Sequence, residues 1–171
     1  MDKVVHEIPP VYDRNSKILI LGSFPSVKSR EGRFFYHHPQ NRFWKVLAAV
    51  YGACTCSGNS CEGYVPETVE EKKQFLLENQ IAVWDVIASC DIDGSSDSSI
   101  KNVVSNDLSV ILDAADIQVI FCNGGTSFKL YEKYLEKRTG RQAVKLPSTS
   151  PANAAYSLER LTALWREAWL P

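Results

Sequence analysis

Three polar segments of this chain carry the residue types from which a binding or catalytic site could be built. Each follows an apolar run that is short enough to be one buried strand. Ligands of open α/β sheets bind at the carboxyl ends of the strands. We therefore expect the three segments to meet in one cleft: Gly22 to Gln40, Asp85 to Ser99, and Pro147 to Tyr156.

The first of these segments combines cations with aromatic rings. Arg33 directly precedes Phe34, Phe35 and Tyr36, and such rings either belong to the core or form a platform on which a nucleic-acid base stacks. From Gly22 to Lys45, five cations face one carboxylate, which leaves +4 there and −5 on the rest of a chain with net charge −1. This basic segment is either a solvated loop or a local anion-binding face.

The third segment is small and polar. Its sequence PSTSPAN, from Pro147 to Asn153, supplies hydroxyl groups and backbone N–H groups directly after a predicted strand. These groups suit contacts to phosphate, although the same loop could simply cap the last helix.

Several chemistries lack their sequence signatures. The chain has neither G-x-G-x-x-G nor G-x-x-x-x-G-K-[ST], and no G-x-S-x-G elbow. The spacing of Cys54, Cys56 and Cys61 provides three thiols, whereas structural zinc usually takes four ligands. His37 and His38 are adjacent, so they would point in opposite directions in an extended segment. We expect reduced thiols, no metal and no cofactor.

The elements that must position these segments alternate between strand and helix. This order predicts a three-layer α/β/α sandwich around a mostly parallel sheet of about four strands. We expect one domain over residues 1–171, with residues before Lys17 as an extended lead-in and Ser89 to Ser99 as a loop. The predicted strands are Ile18 to Leu21, Ile81 to Ile87, Gln118 to Cys122 and Gln142 to Leu146. The predicted helices begin at Asn41, Pro66, Asp107, Ser127 (capped by Thr126 and ended by Gly140) and Ser157.

No apolar run is long enough to span a membrane, and the N-terminus lacks the apolar core of a signal peptide. We expect a cytoplasmic monomer.

Three motifs in order resemble the uracil-DNA glycosylase superfamily, and most of all its hypoxanthine-DNA (deoxyinosine) glycosylase branch. They are GSFPS (Gly22 to Ser26), HPQNRFW (His38 to Trp44) and LPSTSPANA (Leu146 to Ala154). The second motif also resembles the mismatch-specific uracil/thymine glycosylases. The resemblance implies base-excision repair: hydrolysis of the N-glycosidic bond of deaminated bases in DNA, chiefly hypoxanthine and weakly uracil, on a base flipped out of the duplex.

The chain departs from the superfamily pattern at two positions. Phe24 stands where an Asp or Asn of the first motif assists water attack, and Ser148 stands where the classical uracil enzymes have a base-contacting His. By resemblance to the hypoxanthine branch, Asn41 is the expected catalytic residue. The lost acid and His leave two other classes open: a non-catalytic nucleic-acid-binding module, and a metal-dependent hydrolase using His37 or His38 with the cysteines. No lysine stands out as a Schiff-base nucleophile, which favours base removal without strand cleavage.

The resemblance also suggests a division of labour. Tyr36 would stack on the flipped base, and Asp85 would accept the N1–H of hypoxanthine, although a helix cap or a buried salt bridge is an equal alternative for Asp85. The expected base-binding residues are Gly22, Ser23, Phe24, Tyr36, His38 and Asp85. The expected DNA-binding residues are Pro25, Ser26, Lys28, Arg30, Ser148, Thr149, Ser150 and Asn153.

Overall fold

The computed structural model of the chain describes residues 2–52 and 65–169. Its strands are β1 Asp2–Val5, β2 Ile18–Gly22, β3 Ile81–Asp85, β4 Ile87–Ile92, β5 Lys101–Ser105, β6 Val119–Asn123 and β7 Val144–Leu146. Its helices are α1 Val27–Gly32, α2 Phe43–Gly52, α3 Val69–Glu78, α4 Ser109–Leu112, α5 Gly125–Tyr134, α6 Glu136–Thr139 and α7 Leu158–Trp169. A single 3-10 turn lies between β4 and β5, at Asp97–Ser99.

The predicted four-stranded sheet is confirmed. Its strands run in the order β3-β2-β6-β7, and every pair is parallel. Successive residues of a strand face opposite sides, so Ile20 belongs to one core cluster with Phe43 and Trp165, whereas Leu19 belongs to the other with Tyr131. Helices therefore cover both faces, and the three-layer α/β/α architecture holds.

The lead-in and the second loop contain strands that the sequence did not predict. β1, β4 and β5 form a separate antiparallel sheet in the order β1-β4-β5, with Val4 opposite Cys90. The prediction of one strand from Ile81 to Ile87 was wrong, because the chain leaves the parallel sheet after Asp85 and begins β4 at Ile87. The prediction of a loop from Ser89 to Ser99 was wrong for its first four residues, which belong to β4. Short polar strands such as these owe their structure to pairing with distant residues, which periodicity cannot detect.

Two helix predictions also need correction. The loop after β2 is not wholly irregular, because Ser26 caps the six-residue helix α1 and Arg33 ends it in the left-handed region at φ 54°. Thr126 lies inside α5 rather than capping it. The N-cap is Gly124 at φ 99°, where a side chain would be strained and a Cβ would approach that of Ser148 to 3.0 Å. The expected end at Gly140 is confirmed, at the close of α6.

Candidate active site

The three polar segments meet, as predicted, in a cleft at the carboxyl ends of the parallel strands. The cleft has a volume of about 330 Å³, which suits one flipped base. Its walls come from the β2–α1 loop, the segment before α2, the end of β3, the turn at Asp97, the end of β6 and the loop after β7. The lining side chains used below are Tyr36, Asn41, Asp85, Asp97, Asn123 and Ser148.

Asn41 is held with its amide oxygen turned away from the open cleft. Its Oδ1 accepts hydrogen bonds from the backbone N–H of Phe43 and from the Thr149 hydroxyl, each at 2.9 Å. A backbone N–H can only donate, so the accepting atom must be the oxygen and the free atom the nitrogen. No acceptor among residues 2–52 and 65–169 bonds to Nδ2. The side chain therefore presents an N–H₂ donor to the cleft.

Thr149 fixes this orientation of the Asn41 amide. It is completely buried, and its Oγ1 accepts a 3.0 Å hydrogen bond from Nδ2 of Asn123 while its backbone N–H donates to Oδ1 of Asn123 at 3.1 Å. Because the hydroxyl already accepts from Asn123, its single proton is directed to Asn41. The Thr149 side chain thus supports Asn41, and its expected place among the DNA-binding residues stays a prediction.

Arg42 ties the loop after β7 to the beginning of α2. Its guanidinium donates to the backbone carbonyls of Ser150 (2.9 Å), Asn153 (3.0 Å) and Tyr156, while its backbone N–H donates to Thr149. Asn153 braces the same loop by donating from Nδ2 to the Ser148 carbonyl at 2.9 Å. The sequence showed Arg42 only as part of a motif and as one of five cations, and its partners are backbone carbonyls that no motif reveals.

Asp85 ends β3 and is almost fully buried. Its Oδ2 lies 2.7 Å from Nε2 of His6, so a buried histidine partner is present at the distance of the salt bridge considered from the sequence. Its Oδ1 lies beside Gly22, where a Cβ would approach that oxygen to 2.3 Å and the Tyr36 hydroxyl to 3.1 Å. Real Cβ atoms do not come this close, so Gly22 is required here for the close approach of the carboxylate.

Tyr36 lines the cleft but already stacks on the protein. Its ring lies parallel to that of Phe43 with centroids 3.8 Å apart, so only its opposite face could receive a base. Its hydroxyl is buried, and no group in the described ranges meets hydrogen-bonding geometry with it. Burial, followed by the negative charge of Asp85, raises the pKa of Tyr36 well above its usual range, so the phenol is neutral.

A second carboxylate in the cleft was missed by the sequence. Asp97 accepts a 3.3 Å hydrogen bond from the Ser23 hydroxyl, and loss of solvent raises its pKa while that hydrogen bond opposes the shift. Asp91 and Asp93 lie in the same predicted segment, and nothing in the sequence distinguishes the acid that enters the cleft.

The remaining predicted residues divide between the cleft and its surroundings. Phe24, Pro25, Ser26, His38 and Ser150 line it, whereas Lys28 and Arg30 do not.

Arg30 donates to the Gly94 carbonyl at 3.0 Å and lies over the Phe24 ring, so it joins α1 to the β4–β5 segment. Lys28 is exposed, 3.8 Å from Glu31. His37 also lies outside the cleft, against Gly32.

Within the described ranges, no group of three or more His, Cys, Asp or Glu side chains could hold a metal ion. Cys54, Cys56 and Cys61 lie outside those ranges. None of the helices in those ranges is long and apolar enough to cross a membrane.

The family model of the Uracil DNA glycosylase superfamily matches residues 9–169. The chain belongs to the uracil DNA glycosylase superfamily.

Its similarity extends to named relatives. The Hypoxanthine DNA glycosylase of Methanosarcina barkeri is 33% identical over 162 residues, which cover 94% of this chain and 95% of the relative. That of Methanosarcina acetivorans is 33% identical over 152 residues, covering 89% and 90%. A solution NMR structure from Methanosarcina acetivorans, described as that of a candidate uracil DNA glycosylase, superimposes with a TM-score of 0.73 at 32% identity. It covers 94% of this chain and 95% of its own.

Proposed function

We propose that this chain is a monofunctional DNA glycosylase that hydrolyses the N-glycosidic bond of deoxyinosine and releases hypoxanthine, with weaker action on deoxyuridine. The observation that carries the proposal is the amide of Asn41, whose free N–H₂ points into a base-sized cleft while its oxygen is bound twice by the protein. The names of the two Methanosarcina relatives support the same substrate.

Asn41 would act on the departing base. Cleavage of the bond between C1′ and the base leaves positive charge on the sugar and negative charge on the base. An N–H donor fixed beforehand at N7, N3 or O6 of hypoxanthine stabilises that negative charge as it develops, and such donors typically contribute about 3–4 kcal/mol. Water then adds to C1′ and gives up one proton, while the departing hypoxanthine anion takes up one, which gives free hypoxanthine and an abasic site.

This division of roles makes the departures from the superfamily pattern less costly. As the sugar approaches an oxocarbenium ion it becomes strongly electrophilic, so a weak nucleophile such as neutral water suffices. The replacement of the usual acid by Phe24 removes a water-activating group, and the donor at Asn41 assists the other side of the same bond. Asp97, which accepts a hydrogen bond from Ser23 of the first motif, is a carboxylate of the cleft that could accept the proton of that water.

Recognition of the base would combine stacking with one directional hydrogen bond. The open face of Tyr36 stacks on the flipped base, at about 1–3 kcal/mol, and Oδ1 of Asp85 accepts the N1–H of hypoxanthine. Adenine carries a lone pair at N1, so it would face the carboxylate with repulsion instead of a bond. Ser148 and Ser150, on the loop held by Arg42, would contact the phosphates or fill the gap in the duplex.

The DNA partner and the oligomeric state belong to the same proposal. The proposed partner is DNA that contains deaminated bases, and the proposed state of the protein is a monomer. Lys28 on the exposed side of α1 would add charge near the duplex.

A deoxyinosine-containing duplex tests the proposal. The protein is incubated with it under single-turnover conditions, and abasic sites are cleaved by alkali. We expect strand scission with the wild-type protein, and a loss of about 100-fold or more with Asn41→Ala while affinity for the duplex persists.

Asn15→Ala, at an exposed position far from the cleft, is the matched control. No scission above a no-enzyme background would reject the enzyme, and tight binding without base release would identify a non-catalytic DNA-binding module in its place.

A further inference from the structure

His6 enters the site from a part of the chain that none of the three motifs includes. It follows β1, and its backbone N–H donates to the Ala88 carbonyl on β4 at 2.8 Å. The antiparallel pairing of β1 with β4 thus carries the imidazole to the end of β3, 79 residues away in sequence. Only about 1% of the His6 side chain is exposed, so the imidazole acts inside the protein.

The hydrogen bonds of His6 fix its tautomer. Nδ1 accepts the backbone N–H of Ile8 at 3.2 Å, and an N–H can only donate, so Nδ1 carries no proton. The ring proton of the neutral imidazole is therefore on Nε2, which donates to Oδ2 of Asp85 at 2.7 Å. One carboxylate oxygen is thereby occupied, and the direction of the bond is determined.

Aromatic rings hold the imidazole plane. Phe24 and Trp84 pack edge-on against it at centroid distances of 6.0 and 6.5 Å, and Phe35 contacts it at 6.1 Å. Phe24 is the residue that replaces the polar group of the superfamily's first motif. Its ring is one wall of the compartment that contains His6 and Asp85, so the apolar substitution and the buried pair belong to one arrangement.

Hydrogen bonds restrain Asp85 at its backbone carbonyl and at one carboxylate oxygen. Its backbone carbonyl accepts from Nδ2 of the buried Asn106 at 2.9 Å, and its Oδ2 is bound to His6. Its Oδ1 bonds to no group within residues 2–52 and 65–169, and it lies against Gly22 and beside the Tyr36 hydroxyl in the lining of the cleft. The one acceptor left open is therefore aimed at whatever occupies the cleft.

We infer that His6 is a positioning residue for base selection: by holding Oδ2 of Asp85, it presents Oδ1 to the N1–H of a flipped hypoxanthine. This inference rests on the proposed function. Without this bond, the Asp85 carboxylate could rotate, and either of its oxygens could accept a hydrogen bond from the neutral phenol of Tyr36 instead of from the base. Any base with an N–H between two ring carbonyl or imine positions, such as uracil at N3, would profit from the same fixed acceptor.

The test compares binding of two bases that differ at N1. Duplexes carry a non-hydrolysable 2′-fluoroarabino nucleotide opposite cytosine, with either hypoxanthine or unsubstituted purine, which has no N1–H. The wild-type protein should bind the hypoxanthine duplex more tightly. His6→Phe keeps an aromatic ring but removes the donor, and we expect the ratio of the two dissociation constants to fall about tenfold. His6→Gln, which restores an N–H donor, should recover most of that ratio.

A double-mutant cycle separates positioning from a general structural role. In the Asp85→Asn background, His6→Phe should leave the ratio unchanged, because His6 acts only through that carboxylate. A structural role would weaken both duplexes equally and preserve the ratio. Melting temperatures check folding, and His6→Met takes the place of His6→Phe if the latter does not fold. The matched control is His37→Phe, at an exposed histidine outside the cleft.

An unchanged ratio in folded His6→Phe, or equal effects in the two backgrounds, would overturn the inference, as would a wild-type protein that does not distinguish the two duplexes. Failure of the proposed function is seen separately, since it is the absence of hypoxanthine release from deoxyinosine by the wild-type protein.

Discussion

The hydroxyl of Thr149 donates a 2.9 Å hydrogen bond to Oδ1 of Asn41 across 108 residues of sequence. This bond joins the second and third motifs and decides which end of the Asn41 amide reaches the cleft. It is supported by Asn123, whose side chain bonds both the hydroxyl and the backbone N–H of Thr149. The orientation of the Asn41 donor thus depends on Thr149 and Asn123 as well as on Asn41 itself.

Replacing Thr149 with valine tests this dependence. The change keeps the shape but removes the hydroxyl and leaves the amide of Asn123 without its acceptor, so we expect a loss of about 1–3 kcal/mol in the free energy of unfolding. The single-turnover rate on deoxyinosine should fall about tenfold or more, since the Asn41 amide can then rotate. Urea unfolding and rapid-quench assays measure the two effects. Thr162→Val, buried on α7 away from the cleft, should leave the rate unaltered. A normal rate in Thr149→Val would mean that Asn41 is oriented by other contacts.

Arg42→Lys tests the connection between α2 and the loop after β7. One ammonium group cannot reproduce a fork that reaches three backbone carbonyls, so the loop from Ser148 to Tyr156 should become more mobile. We expect affinity for deoxyinosine DNA to fall about five- to tenfold and proteolysis within this loop to accelerate, as the groups proposed to contact the phosphates lose their fixed geometry. Arg14→Lys, at an exposed position, is the control. Equal proteolysis of Arg42→Lys and wild-type protein would contradict the role given to the guanidinium.

Gly22→Ala should displace the Asp85 carboxylate. The added methyl group would lie 2.3 Å from Oδ1 of Asp85, so the carboxylate must move and its bond to His6 must lengthen. Because the hydrogen bond between His6 and the buried carboxylate is broken or strained, we expect a loss of about 1.5–3 kcal/mol in stability. Selectivity for hypoxanthine over purine should fall with it. Gly125→Ala, where a Cβ meets nothing within 4 Å, is the control for calorimetric melting. Wild-type stability in Gly22→Ala would show that Asp85 has space that the structure does not contain.

Asp97 gives the stability of the protein a pH dependence of known sign. Asp97 is exposed by surface area, yet partial desolvation in the cleft raises its pKa above the ordinary value of 3.8 in the folded state, so the folded protein binds this proton more tightly than the unfolded chain does. The stabilisation of the folded state that comes from binding this proton is fully present below the pKa of Asp97 in the unfolded chain. It is lost as the pH rises through the pKa of Asp97 in the folded protein. Asp97→Asn should therefore stabilise the protein at pH 7 relative to wild type, and less so at pH 3. Urea unfolding at the two pH values measures this difference, and a larger gain at pH 3 would reverse the assignment.

The sequence predicted the part of the architecture that depends on local pattern. Short apolar runs such as Ile18 to Leu21 predict buried strands. Because the carboxyl ends of parallel strands lie at one edge of the sheet, the position of the cleft and most of its lining residues could also be predicted. Asn123 could have been suspected, as the polar residue that ends the strand before Gly124. The donor direction of Asn41 could not, because it is set by hydrogen bonds to Thr149 and Phe43 in three dimensions.

His6 illustrates why other parts of the site could not be predicted from the sequence. A histidine in a short polar lead-in carries no signal of its own, and β1 becomes a strand only through its pairing with β4. The short helix α1 was hidden for a related reason: it ends at Arg33 in a left-handed conformation that a non-glycine residue rarely adopts.

The position of His6 has a consequence for the order in which parts of the site form during folding. The bond between His6 and Asp85 spans 79 residues, and closing so long a segment is entropically unfavourable until the central strands have formed. The contact that we assign to base selection would therefore form late, and discrimination between bases would arise only with the completed native state.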